Sequence, residues 1–343
     1  MDKETRVLVT GGGGFVGSNY AAHLLDEGAS VTLYDNFARG YGCSHNTSWL
    51  KKRASSNKLK IVKGDVKDYP RLLRAAKGCD LIVHAAAQVS VPLSVSNPRL
   101  DFDSNAVGTF NILEVARNLK TDPAVLYISS NKVYGIPDAE LVELERRYNF
   151  KDLKEGVGED FPLEGEEPYG VSKATGDSYL HAYYLRYGLR AVSFRCSCMY
   201  GPRQWGKEEQ GWVAWFCIAA ATRKNITIFG DGKQVRDLLY IDDVIRAFDS
   251  ARAKIRNVAG EAFNLGGGRN NAVSLLQTLD FLKELSGRDI KLTYADWRPG
   301  DNKCYYTNIN KVKKLLDWAP QISWKEGIKR TYEWVCENIS LFN

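Results

Sequence analysis

The sequence predicts an α/β protein, a doubly wound parallel sheet with a smaller mixed α/β lobe. Three observations carry this. Through the first 200 residues, short unbroken apolar runs rich in β-branched residues recur, as strands buried on both faces require. Helical patterns alternate with those runs, the order of a sheet whose crossovers cover both faces. After Arg195 the alternation stops, and Gly, Arg, Gln and Trp cluster through Gly201–Trp215.

In order, strands are expected at Val7–Thr10, Val31–Asp35, Lys60–Lys63, Leu81–His84, Ala124–Ser129 and Ala191–Arg195. Helices are expected at Asn19–Glu27, Tyr69–Ala76, Asn105–Lys120 and Gly170–Tyr187. Past Trp215 come a helix, a hairpin-like stretch around Ile226–Lys233, and mixed α/β to the end, with a return to the main sheet near Arg236–Leu265. The expected domains are residues 1–196 with 236–267, and residues 197–235 with 268–343. No internal repeat interrupts this order.

The chain has 343 residues, 44% hydrophobic and 11% aromatic, which suits a large core and argues against disorder. The start, MDKETRVLVTGG, has no apolar stretch of signal-peptide length, and no later run is long enough to span a membrane. The expected location is the cytoplasm, with no membrane partner. The seven cysteines (Cys43, Cys79, Cys196, Cys198, Cys217, Cys304, Cys336) are scattered, odd in number and without a CxxC pair. That argues against disulfides and against a zinc site, so no metal is expected. Cys196 and Cys198 alternate on an expected strand and read as packing or wall residues. The net charge of +6 suits a phosphorylated ligand, but no basic run exceeds Lys51-Lys52-Arg53, so no nucleic-acid partner is expected.

Thr10-Gly11-Gly12-Gly13-Gly14-Phe15-Val16-Gly17 joins the first strand to the first helix, and Gly11, Gly14 and Gly17 fit GxxGxxG. The first glycine permits the tight turn, the second a close approach to a pyrophosphate, the third close packing of helix on strand. The pyrophosphate then rests on the helix N-terminus. Asp35 ends the second strand, where an acid binds the ribose hydroxyls of NAD and repels the extra phosphate of NADP. Arg39 argues mildly the other way; the balance favours NAD and a Rossmann domain. Gly64-Asp65-Val66 is placed for the adenine, although Asp65 alone reads equally as a helix cap.

Tyr169 and Lys173 form YxxxK, and residues four apart share a helix face. A lysine ammonium eases ionisation of a neighbouring tyrosine, so Tyr169 is a candidate general base, and Lys173 could also hold the nicotinamide ribose. Among the 18 tyrosines only Tyr169 has a lysine at that spacing. Ser129-Ser130-Asn131-Lys132-Val133-Tyr134-Gly135 ends the fifth strand, the end at which such sheets place ligands. Ser130 there can hydrogen-bond a sugar oxygen; a lone Ser-Ser at a strand end is otherwise a cap.

With these motifs in this order, the chain resembles the extended short-chain dehydrogenase/reductases, the NAD-dependent epimerase/dehydratase family. TGGGGFVG, Asp35-Asn36, Gly64-Asp65-Val66, His84-Ala85-Ala86-Ala87, Asn105-Ala106-Val107-Gly108-Thr109, SSNKVYG and PYGVSK carry the resemblance, from about residue 5 to about residue 335. It implies Ser130, Tyr169 and Lys173 as the catalytic set. It implies contacts to NAD from Gly11, Gly14, Phe15, Val16, Gly17, Asp35, Asn36, Arg39, Asp65, Val66, Ala85, Ala86, Ala87, Asn105, Ser129, Tyr169, Lys173 and Cys196. Arg236-Asp237 and Arg298-Pro299-Gly300-Asp301 match positions where the family grips a substrate diphosphate, a task suited to arginine's planar fork. The resemblance also implies that helices over about Asn105–Lys120 and Gly170–Tyr187 pair two subunits, as a homodimer or homotetramer; both helices need an apolar face for the sheet in any case.

Dehydratases of the family usually carry an acid pair just after the strand-end Ser or Thr. This chain has Asn131 and Lys132 there, which implies epimerisation by oxidation and hydride return. Glu143–Tyr148 with Gly158–Leu163, and Ser197–Gln204 with Gln210–Phe216, look like the CDP-paratose (CDP-tyvelose) 2-epimerase group. UDP-galactose 4-epimerases are similar in the cofactor half, but typically have Asn at the position of Cys198 and lack QGWVAWF. The implied nucleotide-sugar contacts are Gln88, Asn131, Cys198, Arg203, Gln204, Gln210, Trp212, Arg236 and Arg298, and the implied reaction inverts C2 of a CDP-linked hexose. Trp212–Trp215 reads alternatively as packing. The other readings are a UDP-hexose 4-epimerase and a non-catalytic NAD-sensing or RNA-binding relative; such relatives usually lose the Tyr/Lys pair kept here.

Overall fold

A computed structural model describes residues 5–55, 57–298 and 300–342. Pro299 of the Arg298–Asp301 motif and the outermost ends of the two expected domains lie outside the described residues. Seven strands form one parallel sheet: β1 (Arg6–Thr10), β2 (Ser30–Asp35), β3 (Leu59–Lys63), β4 (Leu81–His84), β5 (Ala124–Ser130), β6 (Ala191–Cys196) and β7 (Ala262–Leu265). Their order is β7-β6-β5-β4-β1-β2-β3. All six strands read from the sequence are there, each within a residue at either end. β4, β5 and β6 are buried along their whole length, which is why their sequences are unbroken rather than alternating. Thr10 stands opposite Tyr34 on one side and His84 on the other. The strand order reverses at β1 and β4, so their carboxyl ends form the switch point at which such sheets bind ligands.

Helices that flank this sheet include α1 (Phe15–Asp26), α2 (Tyr41–Arg53), α3 (Tyr69–Ala76), α4 (Gly108–Asn118) and α5 (Pro168–Tyr187), and Phe248 of a later helix, Ile241–Ala253, packs on Phe194 of β6. Leu8, Ile82 and Val125 of the sheet pack with Ile112, Leu113, Val115 and Leu180 in one fully buried cluster. The helix expected over Asn105–Lys120 is in fact composite. A short helix, Pro98–Phe102, runs into a π-helical turn, Asp103–Val107, and only then into α4. Such turns insert a residue and often sit at functional sites. Inside the sheet edge, Arg195 Nε donates to Asp177 Oδ2 at 2.8 Å, and both side chains are buried, tying β6 to α5.

Two compact units emerge, one of Met1–Val133, Glu167–Arg195 and Ile245–Phe263, the other of Tyr134–Glu166, Cys196–Val244 and Asn264–Asn343. These limits differ from those read in the sequence: residues 134–166, 196, 236–244 and 264–267 group with the second unit. The cause is local pairing. Tyr148 N–H donates to Lys233 O at 3.0 Å, and Val235–Asp237 forms an antiparallel ladder with Ala272–Ser274, so Arg236 does not return to the main sheet. The return is β7 alone. The stretch around Ile226–Lys233 is no hairpin either: Ile226–Phe229 pairs in parallel with Leu292–Ala295, far along the chain. Cys198 lies beyond the end of β6, before the two-residue strand Met199–Tyr200, so it does not alternate with Cys196 on one strand.

Candidate active site

The glycine turn packs onto the end of β4. Gly11 has φ +65°, and a Cβ there would stand 2.6 Å from Ala86 N and 2.7 Å from Ala85 O. At Gly17 a Cβ would meet Gly11 O at 2.4 Å, so only glycine lets α1 sit on the turn. Gly14 is the extended N-cap of α1, and among the described residues no side chain caps this end. Phe15, Val16 and Gly17 thus open the helix with their N–H groups uncapped by side chains, a ready anion site. Asn46 of α2 braces the turn from behind, its Nδ2 donating to Gly13 O at 3.1 Å.

Asp35 closes β2, buried, with Oδ2 accepting from Gly13 N–H at 2.9 Å and Oδ1 from Phe37 N–H at 2.7 Å. Burial pushes its carboxyl above the usual range; the two N–H groups and the Arg39 charge draw it back. Asn36 Nδ2 donates to Asp65 Oδ2 at 3.0 Å, which binds the β2 end to the β3 end. Asp65 is not the cap of α3; Asp68 is, accepting from Arg71 N–H. Val66 is buried, and its carbonyl accepts from Asn111 Nδ2 at 2.9 Å. Ala85 N–H donates to Thr10 O at 3.1 Å, so Ala85, Ala86 and Ala87 leave β4 directly beside the turn.

Tyr169 and Lys173 occupy the first turns of α5, after Pro168 at its first position, and both are buried. A buried ammonium needs partners. Lys173 Nζ donates to Ile128 O at 2.8 Å and lies 5.0 Å from the centre of the Tyr127 ring. Ile128 is two residues before Ser130, so that bond clamps the start of α5 to the carboxyl end of β5. Ser130 Oγ accepts from Lys132 N–H at 3.2 Å, with Asn131 Oδ1 at 3.5 Å. Ser129 is buried near the end of β5, and Cys196 is the buried last residue of β6.

In the second unit, Cys198, Trp212 and Arg236 come together. Burial pushes the Cys198 thiol up, while the Arg236 charge and a hydrogen bond with Trp212 draw it down. The arginines are already engaged. Arg236 Nη2 meets Asp301 Oδ1 at 2.5 Å, and its Nη1 donates to Val235 O at 2.7 Å. Arg298 donates to Glu208 O at 3.0 Å, with its guanidinium 3.9 Å from the Phe229 ring centre. Arg203, at φ 66°, lies over the Trp334 ring at 5.8 Å, and Gln204 Nε2 donates to Met199 O at 3.1 Å. Gln210 pairs by its backbone with Lys207, and Trp212 meets Phe216 edge-on.

Three residues escaped the sequence reading. Glu167, the N-cap residue of α5, is buried with its carboxylate 3.7 Å from Lys132 Nζ. Ser172 and Asp101 belong to a network with Gln88 and Asn105, whose side chains turn inward to it. The Asp101/Asn105 spacing of four was the available signal.

The uncapped end of α1 and the Asp35 carboxylate fit the pyrophosphate and ribose of a dinucleotide, and the clamped Tyr/Lys pair fits proton transfer beside it. The class so defined is a dinucleotide-dependent enzyme of hydroxyl and ketone chemistry. The sequence pattern described as "NAD dependent epimerase/dehydratase family" matches residues 7–266. The chain belongs to that family and is an NAD-dependent enzyme of it. It is 37% identical over 338 residues to a CDP-paratose 2-epimerase of Salmonella typhi, covering 96% of this chain and 98% of the relative. A UDP-glucose 4-epimerase of Thermotoga maritima, solved with UDP-glucose, superposes with TM-score 0.83 at 30% identity, covering 98% of this chain and all of that one. A UDP-glucuronic acid 4-epimerase of Bacillus cereus, in complex with UDP-glucuronic acid and NAD, does so at 0.83 and 27%, over 97% of this chain and 100% of the other.

Proposed function

We propose that this enzyme inverts C2 of a nucleotide-linked hexose, with CDP as the carrier. The near end-to-end likeness to the Salmonella typhi 2-epimerase carries the reading. Asn131 and Lys132, in place of an acid pair after Ser130, support epimerisation over dehydration. Gly11, Gly14, Phe15, Val16, Gly17 and Asp35 hold NAD, which when bound supplies a hydride acceptor and donor. Tyr169 takes the proton of the C2 hydroxyl, and Lys173 favours the phenolate by its charge. Ser130 donates to the reacting oxygen. The keto-sugar turns over, and Tyr169 returns the proton once the opposite face has been reduced. Arg236 and Arg298 take the diphosphate, and Trp212 takes a flat face of base or sugar. Incubation with CDP-paratose and with UDP-glucose, followed at C2 and C4 by NMR, tests this. Inversion only at C4 makes the enzyme a UDP-hexose 4-epimerase; inversion at C2 of a UDP- or GDP-sugar changes only the nucleotide.

The reading places the enzyme in the cytoplasm as a homodimer or homotetramer. Among the described residues no helix is long and apolar enough to cross a membrane. Phe110 on α4, with Val171, Tyr179, Leu185 and Tyr187 on α5, stands exposed on the two helices expected to pair, a patch that suits a second copy. A monomer in light scattering at working concentration overturns the dimer.

A further inference from the structure

Asp101 is fully buried in the first unit, in the short helix Pro98–Phe102, and the chemistry above makes no use of it. Its Oδ1 accepts from Gln88 Nε2 at 2.9 Å and from Asn105 Nδ2 at 3.1 Å. Its Oδ2 is shut off from solvent. Asn105 sits on the π-helical turn, accepts from Gln88 N–H at 2.9 Å and lies 3.1 Å from Ser172 Oγ. Ser172 in turn donates to the carbonyl of Tyr169 at 2.9 Å. A chain of hydrogen bonds thus runs from Asp101 to the backbone of Tyr169. Burial pushes the Asp101 carboxyl above its usual range, opposed by Ser172, by Gln88 and by the charge of Lys173.

Hydrogen bonding alone does not explain a carboxylate here. An asparagine would accept the same two bonds through its carbonyl, without the cost of burying a charge. The neighbouring charges narrow the explanation. Arg99 and Asp103 pair with each other at 2.8 Å on the outer side of the same turn. His84 is held neutral by burial and by Lys173. The cation whose charge reaches Asp101 is Lys173 on α5, itself buried. We propose that Asp101 is a positioning residue for the Tyr169–Lys173 pair, a buried counter-charge to Lys173 that also sets the first turn of α5 through Asn105 and Ser172. This rests on the reading of Tyr169 as general base and is independent of the choice of C2 or CDP.

The test titrates phenolate absorbance of the NAD-loaded, substrate-free enzyme, with matching Tyr169→Phe proteins subtracted to isolate Tyr169. Removing a negative charge favours every deprotonation nearby. Asp101→Asn therefore moves the Tyr169 midpoint to lower pH, by about half a unit or more. Turnover of whichever nucleotide sugar is accepted falls roughly tenfold, with KM unchanged. An unmoved midpoint in a folded, NAD-loaded Asp101→Asn enzyme overturns the proposal, as does a change in KM alone. Should that variant fail to fold, Ser172→Ala keeps the charge and cuts the link: kcat falls and the midpoint stays, whereas wild-type kcat overturns the positioning role. If Tyr169→Phe keeps full turnover, it is the general-base reading that fails, and the titration still reports on Asp101.

Discussion

The two units hold their candidate residues in different ways. In the first, each chemical group is fixed by backbone or by burial: Asp35 by two N–H groups, Lys173 by the Ile128 carbonyl, the turn by glycines that tolerate no Cβ. In the second, the candidate cations are held by partners that an anionic ligand could replace, above all the Asp301 carboxylate on Arg236. Preorganised groups in a dry site serve a transition state, which allows no time for rearrangement. Exchangeable ion pairs serve binding, where the ligand's own charge competes. The first unit should therefore answer mutation in kcat, and the second in KM.

The largest expected effect is at Tyr169. Tyr169→Phe should cut turnover by roughly a hundredfold or more while retaining fold and bound NAD, since only the hydroxyl is lost. Steady-state rates and native mass spectrometry check both halves. A KM effect with normal kcat would break the division between the units.

The next effect is on stability in acid and belongs to the first unit alone. His84 is wholly buried, with Nδ1 2.8 Å from Thr10 Oγ1 and Nε2 3.1 Å from Thr109 Oγ1. Burial first, and the Lys173 charge second, push it down from 6.5 to about 3. Between those values the unfolded chain carries a proton that the native site refuses, so stability is lost as pH falls through that window. The slope is about 1.4 kcal/mol per pH unit, a few kcal/mol in all. Thermal melts from neutral pH down to pH 4 should show it, and His84→Asn, less stable at neutral pH, should flatten it. An unchanged slope in that variant would remove His84 as the cause.

How far the sequence could be read depended on whether burial and spacing were local. The strands of the main sheet were legible because burial on both faces leaves an unbroken apolar run. α2 was not, because its buried stripe is Cys43, Asn46, Thr47 and Leu50, half of it polar. Asn46 is there to brace the glycine turn, so a functional contact hid the helix. The pairing of Ile226–Phe229 was illegible for the opposite reason: its partner, Leu292–Ala295, is exposed throughout and shows no pattern. At the site, GxxGxxG and YxxxK were readable because one turn or one helix sets their geometry. Asp101 was not readable as a partner of Ser172 and Gln88, because only the fold brings those three segments together.

The remaining predictions concern the second unit and are smaller. Arg236→Met should raise KM about tenfold and leave kcat nearly intact, because it removes a charged hydrogen bond to ligand that ground and transition states share. Asp301→Asn is the sharper probe. If Asp301 merely props Arg236 in place, weakening the 2.5 Å pair should loosen the guanidinium and raise KM. If Asp301 is a stand-in that the diphosphate displaces, the asparagine still accepts a hydrogen bond but no longer competes in charge. Binding should then tighten, and KM should fall a few-fold, a difference of about 1 kcal/mol. The partly exposed pair is worth little to the fold, so the melting temperature should hardly move. A fall in KM with constant kcat and constant melting temperature confirms that the second unit recognises by exchange. A rise in KM would make its arginines as rigidly committed as Lys173 and erase the contrast between the two units.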